Sequence, residues 1–166
     1  RTVLELGTEN NLFGTTNFAL NEVAIVKKDT SSMIRIDAFI DGEFLNSYWA
    51  DGLLISTPTG STGYSLSCGG PIILPGTENI IITPIAPHNL NVRPIIINEN
   101  SIIRLKVEDR DQLALVSLDS RSRAFDSSSE LIIRKANFKI KLIEPKDHSF
   151  ITTIRSKLMW GEDKRN

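Results

Sequence analysis

Short β-branched and apolar runs recur along this chain, broken roughly every eight to twelve residues by turn-forming residues. That rhythm predicts a sandwich or barrel of strands rather than alternating helices and strands. The first run is Asn21 to Lys28. Met33 to Ile40 and Glu43 to Tyr48 flank Asp41-Gly42, a pair that tolerates positive φ and so suits a two-residue hairpin turn. Further strands are predicted at Gly52 to Ser56, Ile80 to Thr83, Arg93 to Ile97, Ser101 to Val107, Leu113 to Asp119, Glu130 to Arg134 and Phe138 to Ile143. Asn98-Glu99-Asn100, Glu108 to Asp111 and Ser127 to Ser129 are polar connections of the kind that join antiparallel neighbours.

Two places read as helix. Near Ser61 and Thr62 a hydroxyl can cap a short helical turn that ends at Gly69-Gly70. From Ile151 to Trp160, Ile151, Ile154 and Leu158, with Phe150 beside them, share one face, and Gly161 follows as a stop. The plain reading of this second helix is a cap over one end of the sheet.

Composition narrows the picture. With 166 residues, 40% of them hydrophobic, the chain makes about one domain and needs no disulfide or structural metal to fold. Nineteen Lys and Arg against twenty Asp and Glu leave a net charge of -1, which argues against a basic nucleic-acid-binding face. One cysteine and two histidines exclude an internal disulfide and a multi-cysteine metal site, and they suit a reducing cytoplasm. No apolar run approaches the ~18 residues of a membrane span, and no charged-then-apolar leader opens the chain. A cytoplasmic protein without nucleic-acid or membrane partners is therefore expected. Residues 15 to 150 show no internal boundary, and the opening at Arg1 reads as a cut within a longer protein.

The unusual segment is Ala50 to Pro71, which runs from a strand through a Gly/Ser/Thr loop into a short helix. Small residues let backbone amides approach a ligand closely, and hydroxyls at a helix start add donors where the dipole is positive. This suits a nucleotide or another polar anion; a tight turn with capping hydroxyls accounts for the same residues. No lysine follows these glycines as a P-loop requires, and Gly63-Tyr64-Ser65-Leu66-Ser67 lacks the second glycine of a nucleophile elbow. A serine hydrolase would have only His88 and His148 to draw on. Asn21-Glu22 stands at the front of a strand, where both side chains can touch one ligand, the amide reading a base edge and the carboxylate accepting from ribose hydroxyls. A polar strand start explains the pair equally well. Asp51 and Asp119 read as turn formers, and His88, after Pro87, as a solvated loop residue.

Asn21-Glu22, Asp51-Gly52-Leu53, Ser56-Thr57-Pro58-Thr59-Gly60-Ser61-Thr62-Gly63-Tyr64, Ser67 and Gly69-Gly70 resemble, in order and spacing, the carboxy-terminal domain of NAD kinases. The likeness continues through Pro84-Ile85-Ala86-Pro87-His88 to Leu118-Asp119-Ser120-Arg121. The resemblance implies a mainly β fold, a two-sheet β-sandwich-like domain with one or two short helices that serves as a single NAD-binding unit. It implies ATP-dependent phosphorylation of the adenosine ribose 2′-hydroxyl of NAD to give NADP, a divalent metal such as Mg accompanying ATP, and a homodimer or homotetramer. Carried over by motif, Asn21 and Glu22 would hold the adenosine half, and Thr62, Gly63, Tyr64, Ser65, Leu66 and Ser67 would wrap it, Tyr64 offering a stacking face. Asp51 and Thr59 would lie toward the nicotinamide. Ala86 and His88 look like the segment a neighbouring subunit lends, and Arg121 stands where the family often has glutamine.

Three departures bear on this. No Gly-Gly-Asp-Gly occurs in the chain, so the expected catalytic base and ATP-phosphate loop lie outside it and no metal is expected to be bound by this chain alone. Trp49 stands where several relatives are basic, and Gly63 where alanine is common. A lipid kinase of the same superfamily would want an apolar acyl pocket instead of this polar loop; a non-catalytic carbohydrate- or protein-binding sandwich is the reading from another class.

Overall fold

The computed structural model describes residues 1–28, 33–108, 113–143 and 149–159. Its twelve strands form two six-stranded antiparallel sheets. The first sheet runs in the order β2 (Phe18–Ala19), β1 (Leu4–Thr8), β12 (Leu131–Lys135), β9 (Ile103–Glu108), β4 (Ile34–Ile40) and β5 (Glu43–Ala50). The second is ordered β11 (Arg121–Asp126), β10 (Leu113–Leu118), β3 (Glu22–Lys27), β6 (Gly52–Ser56), β7 (Asn79–Ile85) and β8 (Ile95–Asn98). Alternation supplies the core between them: Leu4, Leu6, Ile34 and Ile36 from one sheet meet Val23, Ile25, Leu53 and Ile55 from the other in a single apolar cluster. The mainly β, two-sheet expectation holds. Asp41 and Gly42, at φ 52° and 88°, make the hairpin turn between β4 and β5.

Several local expectations fail for physical reasons. Phe138 to Ile143 is not a strand: Ile140 exchanges backbone hydrogen bonds with Arg1, Leu142 and Ile143 face solvent, and among the described residues the segment joins no ladder. β1 follows an alternation broken by Gly7, and β11 is an edge strand with Phe125 as its one buried residue, so each carries a weak sequence signal. The second helix, α2 (Phe150–Leu158), is capped by the Ser149 hydroxyl accepting from the Thr152 amide, and of its expected apolar face only Ile154 is buried. Trp160 and Gly161 lie outside the described residues, as do Asp111 and His148. Among the described residues no helix is long and apolar enough to cross a membrane.

A buried carboxylate ties the two sheets together. Glu99, in the turn after β8, is 1% exposed; its Oε2 accepts from Thr2 Oγ1 at 2.7 Å and its Oε1 from Lys135 Nζ at 2.9 Å, with Lys139 Nζ at 3.4 Å. Burial opposes its ionisation, but the hydrogen bonds from Lys135, Thr2 and Lys139 and the charge of Lys135 prevail and hold the carboxyl below its ordinary range. A carboxyl whose folded value is depressed contributes stability above its unfolded value and loses it as pH falls through the folded one. Glu99→Gln should therefore lower the melting temperature at pH 7 while flattening its fall below about pH 4. A parallel acid limb in chemical-denaturation curves of variant and parent would refute this.

Candidate functional site

The chain passes from the first sheet to the second at Asp51, where β5 leads directly into β6. β6 is buried on both faces. Leu53 and Ile55 face the core, while Leu54 and Ser56 face outward and are still fully buried. The outer cover is the segment after β6, a 3-10 turn (Gly60–Thr62) followed by the short helix α1 (Tyr64–Ser67). Ser65 Oγ lies 2.9 Å from Thr83 Oγ1 on β7, and a Cβ on Gly70 would come within 2.2 Å of Ser65 Oγ, so this stretch is clamped onto the sheet. The capping expected from Ser61 and Thr62 is absent: Gly63 stands at the start of α1, and Ser61 Oγ donates to the Pro58 carbonyl and accepts from the Ile73 amide. A hydroxyl engaged across the loop in this way has no reach to the helix amides.

β3 starts one residue after Asn21, as a ligand-touching pair requires. Its start is held from three sides. Asp119, in left-handed backbone at φ 53°, accepts from the amides of Asn21 (2.8 Å) and Glu22 (3.2 Å) through Oδ1 and from that of Leu20 (2.9 Å) through Oδ2. Thr57 donates its amide to the Asn21 carbonyl at 2.9 Å and its hydroxyl to the Leu20 carbonyl at 2.6 Å. A Cβ on Gly60 would meet the Asn21 carbonyl oxygen at 2.1 Å, so the loop backbone lies flush against this residue. Asp119 forms the turn between β10 and β11, as sequence reasoning had it; its grip on three amides is visible only once the long-range pairing of β10 with β3 is known.

Glu22 projects from the outer face beneath the loop. A side chain on Gly63 would reach within 3.6 Å of Glu22 Oε2. That oxygen is buried and, among the described residues, has no hydrogen-bond partner. Burial first, and the Asp119 carboxylate second, push the Glu22 carboxyl above its ordinary range. A buried acceptor left open next to small residues is a receptor for a donor, and a sugar hydroxyl is one.

A second cluster forms at the opposite end of β6, roughly 16 Å away at about 3.3 Å per residue. There Asp51 Oδ1 pairs with Lys27 Nζ at 2.6 Å, the Asp51 amide donates to the Ile85 carbonyl at 3.0 Å, and the His88 amide donates to the Trp49 carbonyl at 2.8 Å. Ala86, at φ 45°, and His88 are exposed on this loop. Burial first, and then the charges of Cys68 and Asp51, raise the Tyr64 phenol. Thr59 is half-buried, Thr62, Gly63 and Ser67 are exposed, and Leu66 is half-buried.

Ser65 and Arg121, both named from sequence, have structural engagements as well. The Ser65 hydroxyl is fully buried on Thr83, and the Arg121 guanidinium donates to the carbonyls of Thr16 and Phe18, bracing the stretch that leads to Asn21. Ile80, Ile81 and Ile82 on β7 are fully buried, and Ile96 on the edge strand β8 is exposed.

Residues 20–145 match the family model for the ATP-NAD kinase C-terminal domain. An NAD kinase of Cytophaga hutchinsonii is 58% identical over 166 residues, covering 100% of this chain and 57% of the relative, and one of Bacteroides fragilis is 49% identical over 165 residues. The chain thus spans little more than half the length of the curated relatives it matches. Yeast NADH kinase, crystallised with NADH, superposes with a TM-score of 0.86 at 28% identity, over 98% of this chain and 51% of that one. An Archaeoglobus fulgidus NAD kinase in complex with ATP superposes with a TM-score of 0.71 at 29% identity, over 83% of this chain and 52% of that one.

Proposed function

The chain belongs to the ATP-NAD kinase family by its carboxy-terminal domain, and on that premise we propose that the full-length protein transfers phosphate from ATP to the 2′-hydroxyl of the adenosine ribose of NAD, giving NADP. This chain supplies the NAD-binding part of the site. The observation that carries the reading is the buried, unpartnered Glu22 Oε2 under a loop of small residues, at the start of a strand held by three independent contacts. Asn21 and Glu22 receive the adenosine half, with the backbone of Thr62 to Ser67 around it and Tyr64 as the stacking face. Asp51, steadied by Lys27, and Thr59 serve the nicotinamide half.

Phosphoryl transfer is mostly positioning and charge stabilisation, so one wall of a cleft can bind a substrate and still catalyse nothing. The catalytic base and the phosphate loop belong to the remainder of the protein, since no Gly-Gly-Asp-Gly occurs here. Among the described residues no group of three His, Cys, Asp or Glu side chains could hold a metal ion, and in the proposed reaction a divalent ion such as Mg accompanies ATP. The protein works in the cytoplasm as a homodimer or homotetramer, the exposed Ala86 to His88 loop completing a neighbour's site.

NADP formation from NAD, ATP and magnesium by the full-length protein tests this reading. Glu22→Ala should lower kcat/KM for NAD about 10- to 100-fold, the equivalent of one charge-assisted hydrogen bond. The isolated 166-residue chain should form no NADP. Parent-like kcat/KM in the variant, or turnover by the isolated chain, counts against the assignment.

A further inference from the structure

Two buried side-chain atoms among the described residues lack a hydrogen-bond partner, Glu22 Oε2 and Ser56 Oγ. They are not independent. Glu22 and Ser56 stand directly opposite each other in the antiparallel β3–β6 ladder, so their side chains leave the sheet on the same face. Ser56 is 0% exposed, and it is the one side chain with a polar atom in a strand otherwise made of Gly52, Leu53, Leu54 and Ile55. Its other neighbour in register, Ile81, offers no polar side-chain atom.

Two isolated orphans would each carry an uncompensated desolvation penalty, and native interiors avoid that arrangement by enclosing water. Opposed Cβ atoms in an antiparallel pair lie about 5 Å apart, so the two side chains leave the sheet as neighbours, and a single water bonded on both sides at about 2.8 Å can link oxygens up to about 5.6 Å apart. The loop sets no side chain against Oε2 at its nearest residue, which is a glycine: a Cβ on Gly63 would lie 3.6 Å from Glu22 Oε2 and 3.3 Å from the Gly60 carbonyl oxygen.

We propose that Glu22 and Ser56 share one internal water molecule, which makes Ser56 a positioning residue for the Glu22 carboxylate. The water donates to one lone pair of Oε2 and exchanges a second hydrogen bond with the Ser56 hydroxyl, so that the other lone pair of Oε2 stays open to the ribose hydroxyl. One carboxylate oxygen is thereby fixed against the sheet and the rotation of the group is set before substrate arrives. The functional half of this inference rests on the proposed NAD site; the water itself does not.

The test uses the full-length protein and three readouts. A high-resolution crystal structure without substrate should contain a water within hydrogen-bond distance of both oxygens. Ser56→Ala should lower the melting temperature, whereas the loss of a truly unpartnered hydroxyl would leave it unchanged or raise it. In a Glu22→Ala background the same change should have no effect, because the coupling runs through the carboxylate. KM for NAD should rise about three- to tenfold in Ser56→Ala with kcat nearly constant, since orientation of a binding group and not the phosphoryl step is disturbed. Absence of the water, or an unchanged or raised melting temperature, overturns the inference. Failure of the parent protein to phosphorylate NAD would instead sink the functional reading and leave the density and the double-mutant cycle to decide on the water.

Discussion

Alanine at Gly60 is expected to remove NAD turnover and to cost the fold about 3 kcal/mol or more. A Cβ there would lie 2.1 Å from the Asn21 carbonyl oxygen, 2.5 Å from its carbon and 2.9 Å from its Cα. All three are backbone atoms, so no rotamer change relieves the overlap. Asn21 cannot retreat, because the Asp119 carboxylate holds its amide and the Thr57 amide holds its carbonyl. The loop must lift or the start of β3 must shift, and either moves Asn21 and Glu22 relative to the cover that completes the site. A displacement of about 1 Å in a positioned group can cost a hundredfold in rate. Gly42→Ala is the informative control. Gly42 sits at φ 88° with nothing within 4 Å of its would-be Cβ, so its cost is conformational only, about 1 kcal/mol, with KM for NAD untouched. Denaturant melts and steady-state kinetics on both variants of the full-length protein measure the contrast. Equal effects at the two glycines would mean that the close approach at Gly60 is not what holds the site.

The contrast between these glycines also marks what the sequence made legible. Asp41-Gly42 announces its turn locally, because two residues with positive φ are all a type I′ hairpin needs, and the strands on either side follow from alternation. The run Gly52 to Ser56 was readable as a strand, and Asn21-Glu22 as a strand front, for the same local reason. Gly60 reads only as a loop glycine, since its partner is a backbone oxygen at the start of the neighbouring strand, brought alongside by the β3–β6 pairing. The edge strand β11 was another blind spot: it carries two arginines and a serine where a core strand would carry Val or Ile, and its pairing with β10 is set by topology. The engagement of the Ser65 hydroxyl is likewise set by the fold. A hydroxyl in a Gly/Ser/Thr loop invites a ligand role, but this one spends its hydrogen bond on Thr83, where a buried hydroxyl needs a partner more than a ligand does.

Replacing Asp119 with alanine should weaken the fold by about 2–4 kcal/mol and lower kcat/KM for NAD by a similar factor to Glu22→Ala, although Asp119 itself need touch no ligand. The carboxylate accepts from the amides of Leu20, Asn21 and Glu22, and its own amide donates to the Glu22 carbonyl at 3.0 Å. Alanine strands three donors at the start of β3 and must also hold a φ of 53° without the side chain that stabilises it. Asp119→Asn separates geometry from charge. The amide keeps one acceptor oxygen, so part of the grip on β3 survives, while the negative charge beside Glu22 disappears. Burial is the larger cause of the raised Glu22 carboxyl and remains; the like charge of Asp119 is the smaller cause and is lost. The Glu22 carboxyl must therefore titrate at a lower pH in Asp119→Asn than in the parent, yet stay above its ordinary value. If the ionised carboxylate receives the ribose, the acid limb of kcat/KM for NAD moves to lower pH in the asparagine variant even as its plateau falls. A limb that stays in place would assign the titrating group elsewhere, and a limb that moves upward would mean that Asp119 had been stabilising the charge of Glu22 through the strand rather than opposing it.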